Sequence, residues 1–312
     1  MSPQSENKII LIVRKTRLDE LIFRYNTEAQ AKFYIEHLGA DFSDYKREDE
    51  QYKAAVAETR QHLEELGRVQ TVDRTFVPNF IFGARDTVVV LGQDGLVANT
   101  LKYLSEQSVV GVNPDPARWE GVLLPFVVRD IPKILPQVFK EKRAISEVTM
   151  ARVELNNGLS LHAVNDLFIG ARSHISARYL IRSGGKEEEH SSSGIIVSTG
   201  LGATGWYKSL MAGALAIASA VAGREIKAPA PVPFPRDAGY LQFTVREPFP
   251  STTSQATLVV GRVTAAQPLS LVSHMAGAGV IFSDGIESDY LEFNSGAWAV
   301  IAPAAKKGRL VV

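Results

Sequence analysis

The sequence predicts an α/β N-terminal domain with a mostly parallel sheet, followed by a mainly antiparallel β domain. In the first half of the chain, short apolar runs alternate with stretches whose apolar residues recur at helical spacing. Near residue 125 the composition changes, and most later segments alternate in polarity or are β-branched. With 312 residues the chain is long enough for two domains, which we place at residues 1–126 and 127–312, leaving open that the last strand returns to the first domain.

The first half is predicted element by element. The run KIILIV at residues 8–13 predicts a buried strand. Helical spacing predicts helices over residues 18–38 and 52–66, with the charge-rich stretch DFSDYKREDE as a surface link between them. The next predicted elements are strands at residues 69–72, 87–90 and 108–112, a helix that opens at residue 95, and an amphipathic helix over residues 130–142.

The second half is predicted to be β-rich with one helix, over residues 206–221. Turn signals such as Asp284-Gly285 separate its strands, and the proline-rich stretch 228–235 is expected to be a loop or an extended connection. The predicted strands are residues 148–155, 167–169, 178–181, 194–198, 241–245, 258–263, 281–283 and 298–301.

Composition excludes several classes of protein. Lys and Arg number 34 together, as do Asp and Glu, so charge does not favour nucleic acid or an anionic membrane surface as the main partner. The absence of cysteine excludes disulfides, a thiol nucleophile and a cysteine metal site, and it fits a reducing compartment. No apolar run reaches the roughly 18 residues of a membrane span, and the first residues lack a signal-peptide core. We therefore expect a cytoplasmic protein.

The stretch TVVVLGQDGLVANTL, residues 87–101, predicts a strand, a glycine turn and a helix start. Such a turn binds phosphate through free amides and the helix dipole, which makes Gly92, Gln93 and Gly95 candidate phosphate ligands. Asp94 would repel a phosphate, so its presence indicates a role such as orienting or deprotonating an attacking hydroxyl. The alternative is that Asp94-Gly95 only closes the turn.

Other candidates follow neighbouring strands. Lys15 and Arg17 come after the first strand, and Asn113 ends the strand at residues 108–112. Ligands of open α/β sheets bind at the carboxyl ends of strands, so these side chains are candidates for ligand contact. Each also has a local explanation: Thr16 can cap a helix that the cations begin, and Asn113 precedes a proline.

Two motifs of the second half carry possible chemistry. Asn165-Asp166 precedes an apolar strand and could bind ribose hydroxyls or a purine edge, or serve only as turn residues. The stretch STGLGATGW at residues 198–206 contains a GxGxxG, with Glu225 20 residues beyond its last glycine, which keeps a Rossmann-type oxidoreductase as a minority alternative. None of the six histidines lies at a metal-ligand spacing, so no protein-bound metal is predicted.

Taken together, the order of these motifs resembles the NAD kinase family. The family's GGDG turn corresponds to residues 92–95, its Asn-Glu pair to residues 165–166, and its glycine- and threonine-rich turn to residues 202–206. The resemblance, from residue 8 to about residue 302, is greatest to the mitochondrial-type branch. The features that point to this branch are KTR, GVNPDP followed by Glu120-Gly121, SSG before Ile195, Trp206 and LEFNSGAWA.

The resemblance implies the diacylglycerol kinase-like fold and an enzyme that moves the γ-phosphoryl group of ATP to the 2′-hydroxyl of the adenosine ribose of NAD. It implies Mg²⁺ carried by the ATP phosphates and a homo-oligomer, a dimer or a tetramer. Asp94 would be the base. The implied ATP-phosphate ligands are Gly92, Gln93, Gly95, Lys15 and Arg17, and the implied NAD ligands are Asn113, Asn165, Asp166, Thr204, Gly205 and Trp206.

Four positions depart from the family pattern. Gln93 replaces a glycine, Leu96 stands where threonine is frequent, and Asp166 shortens the usual glutamate. Ser193-Gly194 replaces the Asp-Gly of the common branch. These departures keep two further alternatives open, a related-fold kinase with a lipid or other small-molecule acceptor and a non-catalytic protein that binds NAD or ATP.

Overall fold

The computed structural model describes residues 7–228 and 233–312 and divides into two compact units. One unit contains the chain up to residue 146 together with residues 309–312, and the other contains residues 147–308. The predicted fold class is confirmed, because the N-terminal region is α/β with parallel strands and the C-terminal region is antiparallel β. The predicted domain boundary after residue 126, which assigns the phosphate turn to one domain and the other two motifs to the second, stays a prediction.

A parallel sheet forms the centre of the first unit. Its spatial order is β2-β1-β3-β4, and β5 and the end of β17 both run parallel to β4. Strands β1 and β3 are almost wholly buried, which explains why they are uninterrupted apolar runs. The strands are β1 (Lys8–Val13), β2 (Arg68–Asp73), β3 (Thr87–Leu91), β4 (Ser108–Asn113), β5 (Phe126–Val127) and β17 (Trp298–Val311).

Five helices accompany this sheet: α1 (Arg17–Tyr25), α2 (Glu28–His37), α3 (Phe42–Glu64), α4 (Asp94–Leu101) and α5 (Ile131–Phe139). The predicted surface link at residues 41–50 is wrong, because α3 already begins at residue 42, after the N-cap Asp41. Its charged residues Glu48 and Asp49 are buried beside cations, which a solvated link would not need. The predicted helix over residues 18–38 is two helices, separated at Asn26, whose φ is 67°.

The second unit contains two antiparallel sheets whose buried residues form one core. One sheet has the order β10-β9-β14-β17, with β6 beside β17 and β7 beside β6, and the other has the order β13-β12-β11-β8-β15-β16. The remaining strands are β6 (Ile145–Leu155), β7 (Ser160–Ala163), β8 (Asp166–Ala171), β9 (Ala177–Ser183), β10 (Lys186–Ser192), β11 (Ile195–Ser198), β12 (Leu241–Val245), β13 (Val260–Val263), β14 (Leu269–Ser273), β15 (Gly279–Ser283) and β16 (Ile286–Glu292).

Four of these strands, β7, β10, β14 and β16, are missing from the sequence prediction. The sequence of β10, KEEEHSS, is too polar to look like a strand, yet it pairs along its whole length with β9 at an edge of its sheet. Edge strands commonly carry charge because a charged edge resists pairing with other chains. Edge position therefore explains the missing hydrophobic signal.

Helix α6 (Trp206–Ala222) matches the predicted helix, and Tyr207 is its one buried residue. Three of its large apolar side chains, Trp206, Ile217 and Val221, are exposed in the described chain. No helix in the described ranges combines the length and the apolar composition that crossing a bilayer requires. Residues 229–232 of the predicted proline-rich connection, and the first six residues of the chain, lie outside the described residues.

A substitution at Gly111, in β4, tests how closely this strand packs against the loop that follows it. A Cβ atom at this position would lie 2.1 Å from the carbonyl oxygen of Leu123. We expect Gly111→Ala to lower the free energy of unfolding by about 1–3 kcal/mol, measured by urea denaturation, because backbone must move. The control is Gly213→Ala in α6, where a Cβ atom meets nothing within 4 Å. It should leave stability unchanged or raise it by about 0.5–1 kcal/mol. Equal stability of Gly111→Ala and the wild type would contradict this packing.

Candidate functional site

The predicted phosphate turn is present at the carboxyl end of β3. Gln93 is the N-cap of α4 and makes no capping hydrogen bond with its side chain, and Asp94 is the first residue of the helix. A Cβ atom on Gly92 would lie 2.8 Å from Cδ2 of Leu96, so the leucine that departs from the family pattern packs against this glycine. A Cβ atom on Gly95 would meet nothing within 4 Å.

The amides of this turn differ in their availability to a phosphate. Gly92 donates its amide to the carbonyl of Val112 at 3.2 Å, so the pairing of β3 with β4 already uses this predicted ligand. The first amides of a helix have no partner within the helix. The predicted ligands Gln93 and Gly95, at the N-cap and in the first turn of α4, therefore carry the amides that can face an anion.

The carboxylate of Asp94 is held by two backbone amides. Leu123 donates to Oδ1 at 2.7 Å and Val122 donates to Oδ2 at 3.2 Å. These amides belong to the loop of residues 119–124, which follows β4. The contact fixes the direction of the carboxylate and also stabilises the loop.

Asn113 is engaged in the same part of the chain. Its Nδ2 donates to the carbonyl of Trp119 at 2.9 Å, and its Oδ1 accepts from the amide of Asp115 at 3.0 Å. The residue is 3% exposed. The contact with NAD that the sequence predicts for Asn113 would compete with both of these bonds.

The two cations predicted to bind phosphate, Lys15 and Arg17, differ in how available they are to a ligand. Arg17 pairs with Glu48 and with Asp44, so carboxylates already occupy its guanidinium. Burial of Glu48 opposes its charge, but hydrogen bonds from Arg17 and Arg14 prevail and lower the pKa of the carboxyl. Lys15 is exposed, with its ammonium 5.3 Å from the ring of Phe23. Of the two, Lys15 is the more accessible to a phosphate.

The second unit contains a cavity of about 600 Å³ that brings the two predicted motifs together. Neighbouring strands β8 and β11 place them side by side: the amide of Thr199 donates to the carbonyl of Asn165 at 2.9 Å, and its hydroxyl donates to the carbonyl of Val164 at 2.6 Å. The predicted residues that line the cavity are Asn165, Asp166, Thr204, Gly205 and Trp206.

Gly200 and Gly202, the first two glycines of the GxGxxG, serve backbone packing. A Cβ atom on Gly200 would lie 1.9 Å from the carbonyl oxygen of Pro235, and one on Gly202 would lie 2.2 Å from that of Asn165. The preceding strand, β11, is antiparallel to both neighbours, whereas the dinucleotide fingerprint requires a parallel βαβ unit. Glu225 is exposed beside Lys227. The oxidoreductase alternative therefore has no structural basis in this region.

Asp284 is a site residue that sequence reasoning missed. Its carboxylate accepts hydrogen bonds from the amides of Val164, Asn165 and Asp166 at 3.0, 2.7 and 3.3 Å. It adopts a φ of 55° in the turn between β15 and β16. The sequence shows Asp284-Gly285 only as a turn signal. The contact with residues 164–166 is not predictable from any local pattern, because the two segments are more than 100 residues apart in the chain.

Asp166 is the most perturbed acid in the cavity. Burial raises the pKa of its carboxyl to about 7, against the effect of a hydrogen bond from Ser198 and with an added contribution from the charge of Asp284. Its Oδ1 is buried and has no hydrogen-bond partner within the described part of the chain. Asp166 is a lining residue of the cavity, and a perturbed buried acid in such a place is a candidate functional residue.

A wall of stacked rings forms another part of the cavity lining. Phe168 lies between Trp206 and Phe282, with ring centroids 5.9 and 6.0 Å away and both pairs close to parallel. Two guanidinium groups add positive charge: Arg246 lies 5.5 Å from the ring of Trp206, and Arg172 is a further lining residue. Flat apolar faces beside cations suit a ligand that has aromatic bases and phosphates. Phe168, Phe282, Arg172 and Arg246 carry no motif and were not predicted.

Among residues 7–228 and 233–312, no group of three or more His, Asp or Glu side chains is placed to hold a metal ion.

Comparison with known proteins identifies the fold. No protein-family model and no characterised protein sequence matches the chain. An NAD kinase from Archaeoglobus fulgidus, solved in complex with ATP, superposes with a TM-score of 0.56 at 16% identity, over 98% of this chain and 93% of that one. Yeast NADH kinase complexed with NADH gives a TM-score of 0.55 at 14% identity, over 99% of this chain and 84% of that one. The chain therefore shares the fold of these kinases.

The raised pKa of Asp166 predicts a pH dependence of stability. The unfolded chain loses this proton near pH 4 and the folded chain keeps it to about pH 7, so the free energy of unfolding falls as the pH rises through that interval. Asp166→Asn removes this contribution. Between pH 4 and pH 8, urea denaturation should show the wild type losing roughly 2–4 kcal/mol relative to the variant.

The control for this prediction is Asp237→Asn, which changes an exposed carboxyl in the same unit. Its stability profile should run parallel to that of the wild type. If the Asp166→Asn profile also runs parallel to the wild type, the carboxyl of Asp166 titrates normally and the prediction is wrong.

Proposed function

We propose that the protein is a phosphotransferase that moves the γ-phosphoryl group of ATP to the 2′-hydroxyl of the adenosine ribose of NAD and so forms NADP. The observation that carries the proposal is the cavity of the second unit. Two motifs separated by more than 30 residues in sequence line it together, beside stacked rings and two arginines. The shared fold supports the proposal, because one solved relative is an NAD kinase in complex with ATP and another is an NADH kinase complexed with NADH.

In this proposal the cavity binds NAD. Trp206 and the rings stacked behind it offer apolar faces to a base, and Arg246 and Arg172 attract the diphosphate. Asn165 and Asp166 offer amide and carboxyl groups to the ribose hydroxyls. Asp166 is a candidate for this role because it lines the cavity and burial raises the pKa of its carboxyl to about 7, so that the protonated carboxyl can donate as well as accept.

The first unit supplies the phosphate turn and the base. The amides of Gln93 and Gly95, with Lys15, bind phosphate oxygens of ATP, and Asp94 accepts the proton of the attacking hydroxyl. The hydroxyl oxygen bonds to the γ-phosphorus while the bond to the β,γ-bridging oxygen breaks, and ADP leaves. Such a transfer needs chiefly positioning and neutralisation of charge. Mg²⁺ would be carried by the phosphates of ATP and would neutralise part of their charge, a mode of binding that needs no cluster of protein carboxylates.

Further parts of the proposal rest on the sequence resemblance alone. They are membership of the mitochondrial-type branch of NAD kinases and a homo-oligomeric assembly. The cytoplasmic location expected from the sequence is also part of the proposal.

The first test is formation of NADP from NAD and MgATP by the purified protein and by Asp94 variants. Asp94→Ala should lower kcat by about 10²- to 10⁴-fold, because it removes the proton acceptor. Asp94→Asn should act similarly, and its NH₂ group would also face one of the amides that now donate to the carboxylate. NAD binding, measured by calorimetry, should persist in both variants.

Glu106→Gln serves as the matched control, since Glu106 is an exposed carboxylate in the same unit. It should retain wild-type activity. A wild type that binds NAD and forms no NADP would refute the proposed reaction. Formation of a lipid phosphate and ADP from MgATP and diacylglycerol or sphingosine then separates a kinase with a lipid acceptor from a non-catalytic nucleotide-binding protein.

Trp206 tests the assignment of the cavity. Trp206→Ala removes the outer ring of the stack, and we expect NAD binding to weaken about 10-fold in calorimetry. Trp298→Ala is the comparison, because Trp298 is also partly exposed and does not line the cavity. Equal affinities of the two variants and the wild type would place the NAD site elsewhere.

A further inference from the structure

The 119–124 loop is anchored to the first unit on several sides. Asn113 holds its start through the hydrogen bond to the carbonyl of Trp119. Gly111 allows the carbonyl of Leu123 to approach the backbone of β4. Gly121 adopts a φ of 69°, and a Cβ atom there would lie 2.9 Å from Nδ2 of Asn113, so this turn of the loop favours a glycine. These contacts fix the backbone that follows.

Beyond Gly121, two successive amides of the loop point to one carboxylate. Leu123 and Val122 donate to different oxygens of Asp94, at 2.7 and 3.2 Å. Hydrogen bonds to a charged acceptor are stronger than those between neutral groups, and a contact with both oxygens fixes the rotation of the carboxylate. A carboxylate has about four acceptor positions, so two amides leave others for a substrate hydroxyl.

We propose that Asn113 is a positioning residue of the proposed phosphoryl transfer: it fixes the 119–124 loop, and the amides of Val122 and Leu123 in that loop orient the carboxylate of Asp94. The inference rests on the proposed function. It replaces the contact with NAD that the sequence predicts for Asn113.

The state of the Asn113 side chain favours positioning over ligand contact. Its donor and its acceptor are both used within the segment of residues 113–119, and the residue is 3% exposed. Direct binding of a nucleotide would compete with both of these hydrogen bonds. Holding the loop requires no change in these bonds.

The first experiment is amide hydrogen exchange, which does not depend on enzyme activity. In Asn113→Ala, and also in Asp94→Ala, the amide of Leu123 should exchange at least about 10-fold faster than in the wild type. Amides of β1 should stay protected, which excludes global unfolding. Asn113→Asp is the second variant in case the alanine does not fold: it is nearly isosteric, keeps an acceptor for the amide of Asp115 and loses the donor to Trp119.

Asn156→Ala is the matched control. Asn156 makes the same pair of bonds in the second unit, donating to the carbonyl of Gly296 and accepting from the amide of Trp298. Its loss should leave exchange at Leu123 and catalysis unchanged. Unchanged exchange at Leu123 in the folded Asn113 variants would overturn the inference.

The second experiment separates the positioning role from contact with the substrate. A loss of positioning should lower kcat about 10- to 100-fold while KM and the calorimetric Kd for NAD stay within about twofold. A raised Kd for NAD with little change in kcat would overturn the inference and restore the contact with NAD. If the wild type forms no NADP, the proposed function fails, and the exchange experiment alone decides whether Asn113 fixes the loop.

Discussion

Carboxylates that accept hydrogen bonds from successive backbone amides organise both units of this protein. Backbone N–H groups in loops have no partner strand to accept their hydrogen bonds. Burying such a group without an acceptor costs free energy. A carboxylate can accept several such donors at once. Asp94 binds two amides of the 119–124 loop, and Asp284 binds three amides at residues 164–166. Each places a segment of candidate site residues at a fixed geometry.

The two carboxylates differ in what they leave for chemistry. Asp284 makes most of its contacts through one oxygen and lies in a turn, so its effect on a ligand is indirect: it places Asn165 and Asp166 and adds to the raised pKa of Asp166. Asp94 uses one amide for each oxygen and stands at the start of a helix, where a negative charge is also favoured by the helix dipole. A purely structural Asp94 would need only these features. The proposed function adds a role for its remaining acceptor positions, which is why activity and loop protection are separate observations.

The parts of the fold that the sequence reveals are those whose physics is local. Strands β1, β3 and β4 are buried on both faces and therefore appear as apolar runs, and the glycine turn after β3 follows from its residues. The prediction of a surface link at residues 41–50 is wrong because Glu48 is buried against the guanidinium groups of Arg14 and Arg17. Local charge patterning cannot show a contact with residues so far away in the chain. Strand β10 was missed for a different reason, because a strand at the edge of a sheet needs no hydrophobic alternation.

The residues of the candidate site also divide into those that the sequence predicts and those that only the fold brings together. Motif glycines that allow a close backbone approach, such as Gly200 and Gly202, can be recognised in the sequence. The structure gives Gly202 a reason other than phosphate binding, because it lies against the carbonyl of Asn165. Residues that act through long-range contact cannot be recognised. Asp284, Phe168 and Arg246 reach the cavity only because β8, β11, β12 and β15 are neighbours in one sheet. The order of the motifs predicts a candidate nucleotide site, and the order of the strands decides which further side chains line the cavity.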